Sequence, residues 1–449
     1  MGSGSCRSFF MTTSNIYILH FVLAIKSAKM LKLLPVALLF CLFSSCDAGI
    51  NERSDKNKAI RQQLTDTLNK ITDTLDFNGF GVVLVNDTGV LYQNGFGFAN
   101  IATKDKYTGH TLQNIASISK TFIGIALLKA QELGKLKLDD PINQYLPFRV
   151  DNPYHPDMPI TIRQLATHTA GINDTEDYLF RAWVLHDTIN LAHNLKIDIG
   201  ECRFSAPDTK IPMEEFLKNI LVKDEKWYRP TNFSKNKPGT IYTYSNMGAT
   251  LAALVIEKAT GISYDQFTRK YILDPLNMKT SGWGLNAIDL SKHTKLYINK
   301  KEAYPFYSCI TYPDGSMITS TEDFSKYMAE LMKGYFGNGR LLTKESYAEY
   351  FKGQLKAENF IKRNEGEYSD EYNMGITMGI SSTGNFGHTG GDPGLFSMMF
   401  FNPKTRIGKY MIVNTDLNEP RSWKQHHTIW TLLDSFAVRL TNTGTVAKH

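Results

Sequence analysis

The stretch ASISKTF, residues 116–122, places a serine and a lysine three positions apart, directly before an apolar segment. Residues 122–133 repeat apolar side chains at helical spacing, and Gly134 is a typical helix end. Ser117 and Lys120 are therefore expected on one helix face, about one turn apart. A serine hydroxyl needs a base to become nucleophilic, and burial lets a lysine amine serve as one. The stretch thus predicts a catalytic pair.

The same Ser-x-x-Lys spacing occurs a second time, at Ser234 and Lys237. This copy lies in a stretch rich in Lys, Asn and Pro, residues 232–239, with no apolar helix behind it. A loop of this composition neither buries the lysine nor orients the serine. The second copy is therefore predicted to have no catalytic role.

A Tyr-x-Asn pattern occurs three times, at Tyr92, Tyr244 and Tyr297. Only Tyr244 stands between a Pro-Gly turn, residues 237–240, and a helical pattern, residues 247–259. Connecting loops at helix starts commonly carry functional side chains, whereas the other two tyrosines lie in strand-like or mixed segments. Tyr244 is predicted to be the third catalytic residue, and the other two are predicted to be structural.

The sequence His-Thr-Gly-Gly, residues 388–391, occurs once and falls on the strand that leads into the last hairpin. Its two glycines, Gly390 and Gly391, remove side chains and let another backbone approach closely. A substrate could add itself to such a strand edge as one further strand. His388, Thr389 and Gly390 are therefore candidates for substrate binding.

Strand signals lie at both ends of the chain, and helical signals fill the middle. Hairpins are predicted over residues 80–98 and 395–413, and amphipathic helices over residues 59–75 and 423–440. The economical fold is of the α/β (α+β) class: one antiparallel sheet built from both ends, flanked by the terminal helices, with a mainly helical region inserted. The expected division is a sheet part over about 59–110 and 285–441 and a helical part over about 111–284.

The composition indicates a globular protein with a substantial core and little affinity for nucleic acid. Of 449 residues, 42% are apolar and 21% are charged, and the net charge of +6 comes without a long basic run. Three of the five cysteines lie near the N-terminus, so the remaining two, Cys202 and Cys309, exclude a disulfide framework. No Cys/His group has zinc-ligand spacing, and no metal site is expected.

Residues 1–46 are predicted to be a leader, and residues 30–46 within it have the form of an export signal. They read MLKLLPVALLFCLFSSC, with a lysine before an apolar run of 11 residues. Such a run is too short to cross a membrane and has the usual length for a signal peptide. The final residue, Cys46, favours a lipoprotein cleavage site; an ordinary signal peptide with a chance cysteine is the alternative.

A lipid on Cys46 would anchor an exported protein to a membrane, in the periplasm or at the outer surface. Residues 47–58 directly follow the lipid-bearing cysteine under this hypothesis, and their polar composition predicts a tether. A second apolar patch precedes the signal, so both Met1 and Met30 stay open as the start of translation.

The three motifs together resemble those of a known enzyme family. Residues 116–122, 244–246 and 388–390 are similar, in content and order, to the three motifs of serine β-lactamases and penicillin-binding proteins. The flanks resemble the branch that contains class C β-lactamases, DD-peptidases and esterases; these flanks are residues 134–141, 165–171 and 238–240. The resemblance extends from about residue 59 to 440 and implies one hydrolase domain over residues 59–441.

The resemblance also implies a role for each residue of the motifs. Ser117 would attack a carbonyl carbon and become acylated, while Lys120 and Tyr244 exchange its proton and activate the deacylating water. Asn246 would hydrogen-bond the substrate or the lysine. The N–H groups of Ser117 and Gly391 would form the oxyanion hole, in which each donor contributes roughly 3–4 kcal/mol in comparable sites. No metal or organic cofactor is implied.

One residue departs from the β-lactamases of this branch, which carry Lys where this chain has His388. An unperturbed histidine, with a pKa of about 6.5, is mostly neutral at neutral pH, so recognition of a β-lactam carboxylate would be weaker. Histidine at this position resembles DD-peptidases, D-aminopeptidases and esterases. The favoured hypothesis is therefore hydrolysis of a small amide or ester, including D-amino-acid peptides. A β-lactamase, and a penicillin-binding sensor without turnover, are the alternatives.

Overall fold

The computed structural model describes residues 55–186 and 204–442. One compact unit comprises Ile60–Asn442. The leader and its predicted lipidation site Cys46 lie outside the described residues, as does Cys202. None of the helices in the described ranges is both long enough and apolar enough to cross a bilayer.

The first helix, α1, occupies residues 55–72 and begins earlier than the sequence indicated. The predicted tether, residues 47–58, is therefore wrong for residues 55–58, which are helical. Polar composition misled the prediction because charged residues such as lysine have good helix propensity and form a solvated first turn ahead of an apolar stripe.

Further elements follow α1 along the described chain. The helices are α2 (Lys120–Glu132), α3 (Ile162–Ala166), α4 (Glu176–Leu179), α5 (Met213–Leu221), α6 (Asn246–Thr260), α7 (Tyr264–Thr268), α8 (Thr321–Tyr335), α9 (Lys344–Phe351) and α10 (Pro420–Asn442). The strands are β1 (Gly79–Asn86), β2 (Gly89–Asn100), β3 (Asp105–Lys106), β4 (Gln113–Asn114), β5 (Trp183–Leu185), β6 (Gly282–Trp283), β7 (Tyr307–Cys309), β8 (Met317–Thr319), β9 (Asn373–Met374), β10 (Gly379–Ile380), β11 (Phe386–Asp392), β12 (Leu395–Asn402) and β13 (Ile407–Val413).

Eight strands form one antiparallel sheet in the order β3-β2-β1-β13-β12-β11-β10-β9. Near its centre, β1 from the N-terminal part pairs with β13 from the C-terminal part, with Val82 opposite Met411. The two predicted hairpins are β1–β2 and β12–β13. The structure thus confirms a sheet assembled from both ends of the chain and flanked by the terminal helices α1 and α10.

Strand alternation sends the side chains of β1 into two separate cores. Val82 and Leu84 belong to the core beneath α1 and α10. Val83 and Val85 point to the opposite face and join the larger core, which includes α2, α6 and α8. Full burial of each such side chain contributes roughly 1.5–3 kcal/mol, and the two cores together fix the sheet between two helical layers.

The helices are not confined to the predicted insert at about 111–284. Helices α8 and α9, which the sequence analysis did not predict, lie within the predicted sheet part at 285–441. The buried side chains of α8 include Phe324, Tyr327, Met328 and Leu331, whose spacing gives one apolar face. This face covers the large sheet, while β4, β8 and β6 form a separate small sheet.

Candidate active site

Ser117 lies in a short 3-10 turn, Ala116–Ser119, which leads directly into α2. The residue before it, Ala116, has a φ of 49°, a left-handed conformation that costs a non-glycine residue roughly 1–2 kcal/mol. Ala116 lies in the connection between β4 and α2. Ser117 is half-buried there, whereas both of its neighbours in the chain are fully buried.

The strained turn is held in place by its neighbours in space. The N–H of Met317 in β8 donates a hydrogen bond to Ser119 Oγ at 3.1 Å. The hydroxyl of Ser397 in β12 donates one to the carbonyl oxygen of Ile115 at 2.9 Å. The nucleophile is thus fixed between the small sheet and the large sheet.

The side chain of Lys120 is fully buried beside the serine. Its Nζ lies 3.0 Å from Ser117 Oγ and donates a hydrogen bond to the main-chain carbonyl oxygen of Asp314 at 2.6 Å. Burial lowers the pKa of the Lys120 amine, although the charges of Asp314, Asp174 and Asp392 act in the opposite direction. An amine with a lowered pKa can take the serine proton near neutral pH.

Tyr244 lies in the loop just before α6 and presents its phenol to the same pair. Its ring centroid is 5.1 Å from the Nζ of Lys120. The phenol oxygen is buried and has no hydrogen-bond partner in the described chain. Burial raises the Tyr244 pKa well above 10.0, and the Ser117 hydroxyl is the nearby group that most strongly lowers it. The phenol is therefore neutral and carries its proton.

The loop that carries Tyr244 is fixed by a carboxylate that sequence reasoning missed. Asp174 accepts hydrogen bonds from the N–H groups of Asn246 (2.7 Å) and Met247 (3.0 Å), and from the Ser245 hydroxyl (3.1 Å). It also accepts one from the Asn246 side-chain amide at 2.9 Å. The Asn246 side-chain nitrogen is therefore bound to Asp174, and the predicted contact of this residue with the substrate or Lys120 stays a prediction. Asp174 lies 70 residues before Tyr244 in the sequence, so no local pattern could have predicted this contact.

A buried histidine supports the same loop from the other side. His168 Nδ1 accepts a hydrogen bond from the Ser245 N–H at 3.2 Å, and its ring lies 4.6 Å from the ring of Tyr244. Burial lowers the pKa of His168 to about 3, with Lys120 adding to the effect, so the ring is neutral. The residue acts as a support for Tyr244.

Asp314 gives Lys120 its main-chain acceptor and is itself buried. Its carboxylate accepts hydrogen bonds from the hydroxyls of Tyr178 (3.1 Å) and Thr250 (3.0 Å). Burial raises the pKa of Asp314 to about 6, against the lowering effect of Lys120. Tyr178 and Trp183 are both buried and belong to the large core.

His388 lies on β11 and is also buried, with its ring 6.2 Å from that of Tyr244. Its Nδ1 lies 2.5 Å from the carbonyl oxygen of Thr389 and 3.2 Å from a carboxylate oxygen of Asp370. Burial lowers the pKa of His388, although Asp370 acts to raise it. The imidazole at this position is therefore neutral near pH 7.

The two glycines of β11 have different surroundings. A Cβ on Gly390 would lie 2.6 Å from Ser397 Oγ and 2.7 Å from the carbonyl oxygen of Ile115, so only glycine lets β11 pack against the nucleophile turn. A Cβ on Gly391 would meet nothing closer than 4.0 Å. Gly391 is exposed and lies on the edge of β11 next to the turn, where its predicted oxyanion-hole role remains a prediction.

The structure places the rejected motif copies away from this cluster. Ser234 Oγ accepts a hydrogen bond from the N–H of Asn236. The hydroxyl of Tyr92 lies 2.8 Å from that of Thr65, and the hydroxyl of Tyr297 accepts a hydrogen bond from a main-chain N–H. Each of these groups has a local structural partner. Within the described ranges, no group of three or more His, Cys, Asp or Glu residues is arranged to hold a metal ion.

The sequence matches the beta-lactamase family over residues 63–429. The chain belongs to this family. Family membership and the Ser117–Lys120 geometry support the serine hydrolase of the class C β-lactamase-like group that the motifs predicted.

Two curated relatives show how far this family member has diverged. It is 27% identical over 336 residues to the human serine beta-lactamase-like protein LACTB, mitochondrial, covering 66% of this chain and 60% of the relative. It is 26% identical over 358 residues to a penicillin-binding protein of Bacillus subtilis, covering 76% of this chain and 68% of the relative. The chain thus spans less than two thirds of the human protein.

Solved structures of other proteins share the fold of this chain. A D-amino acid amidase of Ochrobactrum anthropi matches with a TM-score of 0.58 at 21% identity, covering 87% of this chain and all of that one (100%). A beta-lactamase/D-alanine carboxypeptidase of Yersinia pestis matches with a TM-score of 0.59 at 19% identity, covering 86% of this chain and 99% of that one. At these identities, the similarity establishes the β-lactamase/transpeptidase fold.

Proposed function

We propose that this hydrolase cleaves a small amide or ester through an acyl-enzyme formed on Ser117. The observation that carries the proposal is the fully buried Lys120 amine, 3.0 Å from the serine hydroxyl. An amine in this position activates the serine only if it is unprotonated, and burial favours that form.

The buried groups divide the proton transfers between them. Lys120 removes the Ser117 proton as Oγ attacks the substrate carbonyl carbon, and a tetrahedral oxyanion forms. Tyr244, a neutral phenol, donates its proton to the leaving group as the bond to that group breaks. The proton on Lys120 then restores the phenol, and the acyl-enzyme remains. The same groups, used in reverse, activate a water molecule that hydrolyses the ester on Ser117.

A neutral His388 supports amides and esters over β-lactams as substrates. A lysine at this position would offer a cation to a β-lactam carboxylate, whereas the buried imidazole offers none. The named activities of two relatives in fold, a D-amino acid amidase and a D-alanine carboxypeptidase, support D-amino-acid derivatives as the first compounds to test.

The test is covalent labelling followed by a substrate screen. Purified protein is treated with a fluorophosphonate, and the labelled peptide is identified by mass spectrometry. Ser117→Ala should abolish labelling, and Ser234→Ala, in the second Ser-x-x-Lys copy, should leave it unchanged. Labelling that persists in Ser117→Ala would contradict the proposal.

The screen compares p-nitrophenyl esters, D-amino-acid amides, D-alanyl peptides and a cephalosporin at equal concentration. Turnover of esters or amides, with slow cephalosporin hydrolysis, is the expected result. Fast cephalosporin turnover would instead assign a β-lactamase. Stoichiometric acylation without turnover of any compound would assign a sensor.

We also propose that the protein is exported and held at a membrane by a lipid on Cys46. The support is the signal-like sequence of residues 30–46, with its apolar run ending in a cysteine. Metabolic labelling with an alkyne fatty acid should mark the wild type but not Cys46→Ser. Cys41→Ser, in the same segment, is the matched control. Equal labelling of wild type and Cys46→Ser would contradict the proposal.

A further inference from the structure

A carboxylate from outside the three motifs caps the outer edge of β11. The Oδ2 of Asp370 accepts hydrogen bonds from the N–H of Thr389 at 2.7 Å and from its hydroxyl at 2.9 Å. The same oxygen lies 3.2 Å from Nδ1 of His388. Two of the residues predicted to contact substrate are thus already bound to an acidic side chain, which is itself 13% exposed.

Asp370 reaches this edge because the neighbouring strand is short. Pairing of β10 with β11 ends at Gly379 opposite Gly387. A Cβ on Gly379 would lie 2.4 Å from the Cβ of Asp370, so the glycine makes room for the aspartate beside the end of β10. The carboxylate therefore takes the next position along the edge, at Thr389.

The capped edge leaves little room for a substrate strand. In an antiparallel strand, N–H groups two residues apart point to the same side, so the N–H of Gly391 faces the same edge as that of Thr389. Gly391 is exposed, whereas the N–H of Thr389 already donates a hydrogen bond to Asp370. A substrate can pair with β11 at Gly391, but its continuation towards Thr389 meets the carboxylate.

The part of the substrate that meets Asp370 is the leaving group. Tyr244 is the proton donor of the proposed reaction, so the leaving group must lie on its side of the cleft. His388, which neighbours Thr389 on β11, is also the residue of β11 whose ring lies near that of Tyr244. The leaving group therefore runs from Gly391 towards Thr389.

We propose that Asp370 is a specificity-determining residue that excludes leaving groups with a free carboxylate and favours neutral or cationic ones. The proposal rests on the proposed hydrolase function and narrows it. It favours simple amides, esters and cationic esters over peptides whose leaving residue ends in a carboxylate. A substrate carboxylate would face a fixed negative charge at Thr389 and would find the donors of that residue occupied.

Three thioesters of phenylacetylglycine test the proposal, because their leaving thiols carry different charges and the effect of a variant is read as a change in the ratios between them. The thiols are thioglycolate (anionic), thioglycolamide (neutral) and thiocholine (cationic). For wild type, kcat/KM for the neutral and cationic esters should exceed that for the anionic ester by about tenfold or more, as expected for like charges in a partly buried site. Asp370→Asn retains an oxygen acceptor for Thr389, removes the charge and should shrink this ratio about tenfold.

The ratio of two kcat/KM values does not depend on the fraction of folded enzyme, so partial misfolding of a variant cannot imitate the result. Asp370→Ser is a second variant with the same expected direction. Glu371→Gln removes an equal charge from the next residue and should leave the ratio unchanged. An unchanged ratio in Asp370→Asn, or an equal loss with all three esters, would overturn the specificity proposal. If wild type hydrolyses none of the three and resists fluorophosphonate, the hydrolase function itself fails.

Discussion

The amine nitrogen of Lys120 lies 3.0 Å from the hydroxyl oxygen of Ser117, and solvent does not reach the lysine side chain. Replacing this amine tests whether it is the base. Lys120→Gln should slow fluorophosphonate labelling by about 100-fold or more, because a neutral amide cannot accept the serine proton. Lys129→Gln, on the same helix, removes only a lysine paired with Glu132 and should label at the wild-type rate. Equal rates for both variants would contradict the assignment.

The Tyr244 phenol is predicted to act in proton transfer rather than in folding. Tyr244→Phe should lower kcat by about 10²- to 10⁴-fold with little change in melting temperature, because the phenol oxygen has no hydrogen-bond partner within the described residues. Tyr92→Phe is the matched control. It should lose about 1 kcal/mol of stability through the contact with Thr65, and it should keep its activity. A Tyr244→Phe enzyme with normal kcat would remove the phenol from the mechanism.

The two glycines of β11 are predicted to respond oppositely to an added methyl group. Gly390→Ala should destabilise the fold by about 1–3 kcal/mol and impair labelling, since its Cβ would press on Ile115 and Ser397 beside the nucleophile. Gly391→Ala has 4.0 Å of clearance and should keep its melting temperature. Thermal unfolding and labelling of both variants provide the measurement, and equal stability of the two would contradict the packing described here.

Asp174 is predicted to be a positioning residue that acts through Tyr244 and Lys120. Asp174→Asn should lower kcat about tenfold or more, because the four hydrogen-bond donors of residues 245–247 would no longer bind a carboxylate and the loop that carries Tyr244 would be less firmly held. Its charge also raises the pKa of Lys120. Activity requires the unprotonated amine and rises as pH passes through that pKa. Removing the charge should therefore move the rising part of the pH–rate profile to lower pH.

A purely structural role for Asp174 would lower the rate at every pH and leave the profile in place. Asp177→Asn is the control variant, since Asp177 pairs with Arg181 and Arg229 instead of the site. It should lose stability without a shift of the profile. A profile in Asp174→Asn that coincides with wild type would reject the positioning role.

Buried histidines predict a loss of stability in mild acid. Burial lowers the pKa of His426 to about 4, so the folded state binds fewer protons than the unfolded state between pH 4 and roughly 6.5. The stability it contributes is complete above roughly pH 6.5 and is lost as pH falls towards 4. His168 and His293, with pKa values lowered by burial to about 3 and about 4, act in the same direction.

Replacing His426 should therefore reduce the acid sensitivity of the fold. His426→Phe should lose less free energy of unfolding between pH 7 and pH 4.5 than wild type, by about 1.4 kcal/mol per unit of pKa shift removed, and should show a correspondingly smaller fall in melting temperature. His427→Phe, at the exposed neighbouring position, should change this loss much less, because burial outweighs the charge of His427 in lowering the His426 pKa. The comparison uses the change between the two pH values, so a constant effect of either substitution cancels. Identical falls for all three proteins would contradict the assignment.

Local sequence predicted the elements that hold the catalytic groups. The apolar run that begins in ASISKTF and the helical pattern at residues 247–259 both appear in the structure as helices, α2 and α6. Each depends on residues within a few positions of one another, so the pattern alone carries the information. Helix α8 was not predicted from the sequence, although its apolar face is regular.

The sequence by itself determined the family, the antiparallel sheet built from both chain ends, and the three motifs that supply the nucleophile, the amine and the phenol. Only the tertiary structure decided which groups surround them. The carbonyl of Asp314 that binds Lys120 is 194 residues away along the chain, and Asp174 is 72 residues from the Asn246 that it binds. Contacts over such distances leave no periodicity or spacing to detect, because they depend on how the two cores pack. The same packing buries Lys120 and Tyr244 and so sets the direction of both pKa shifts.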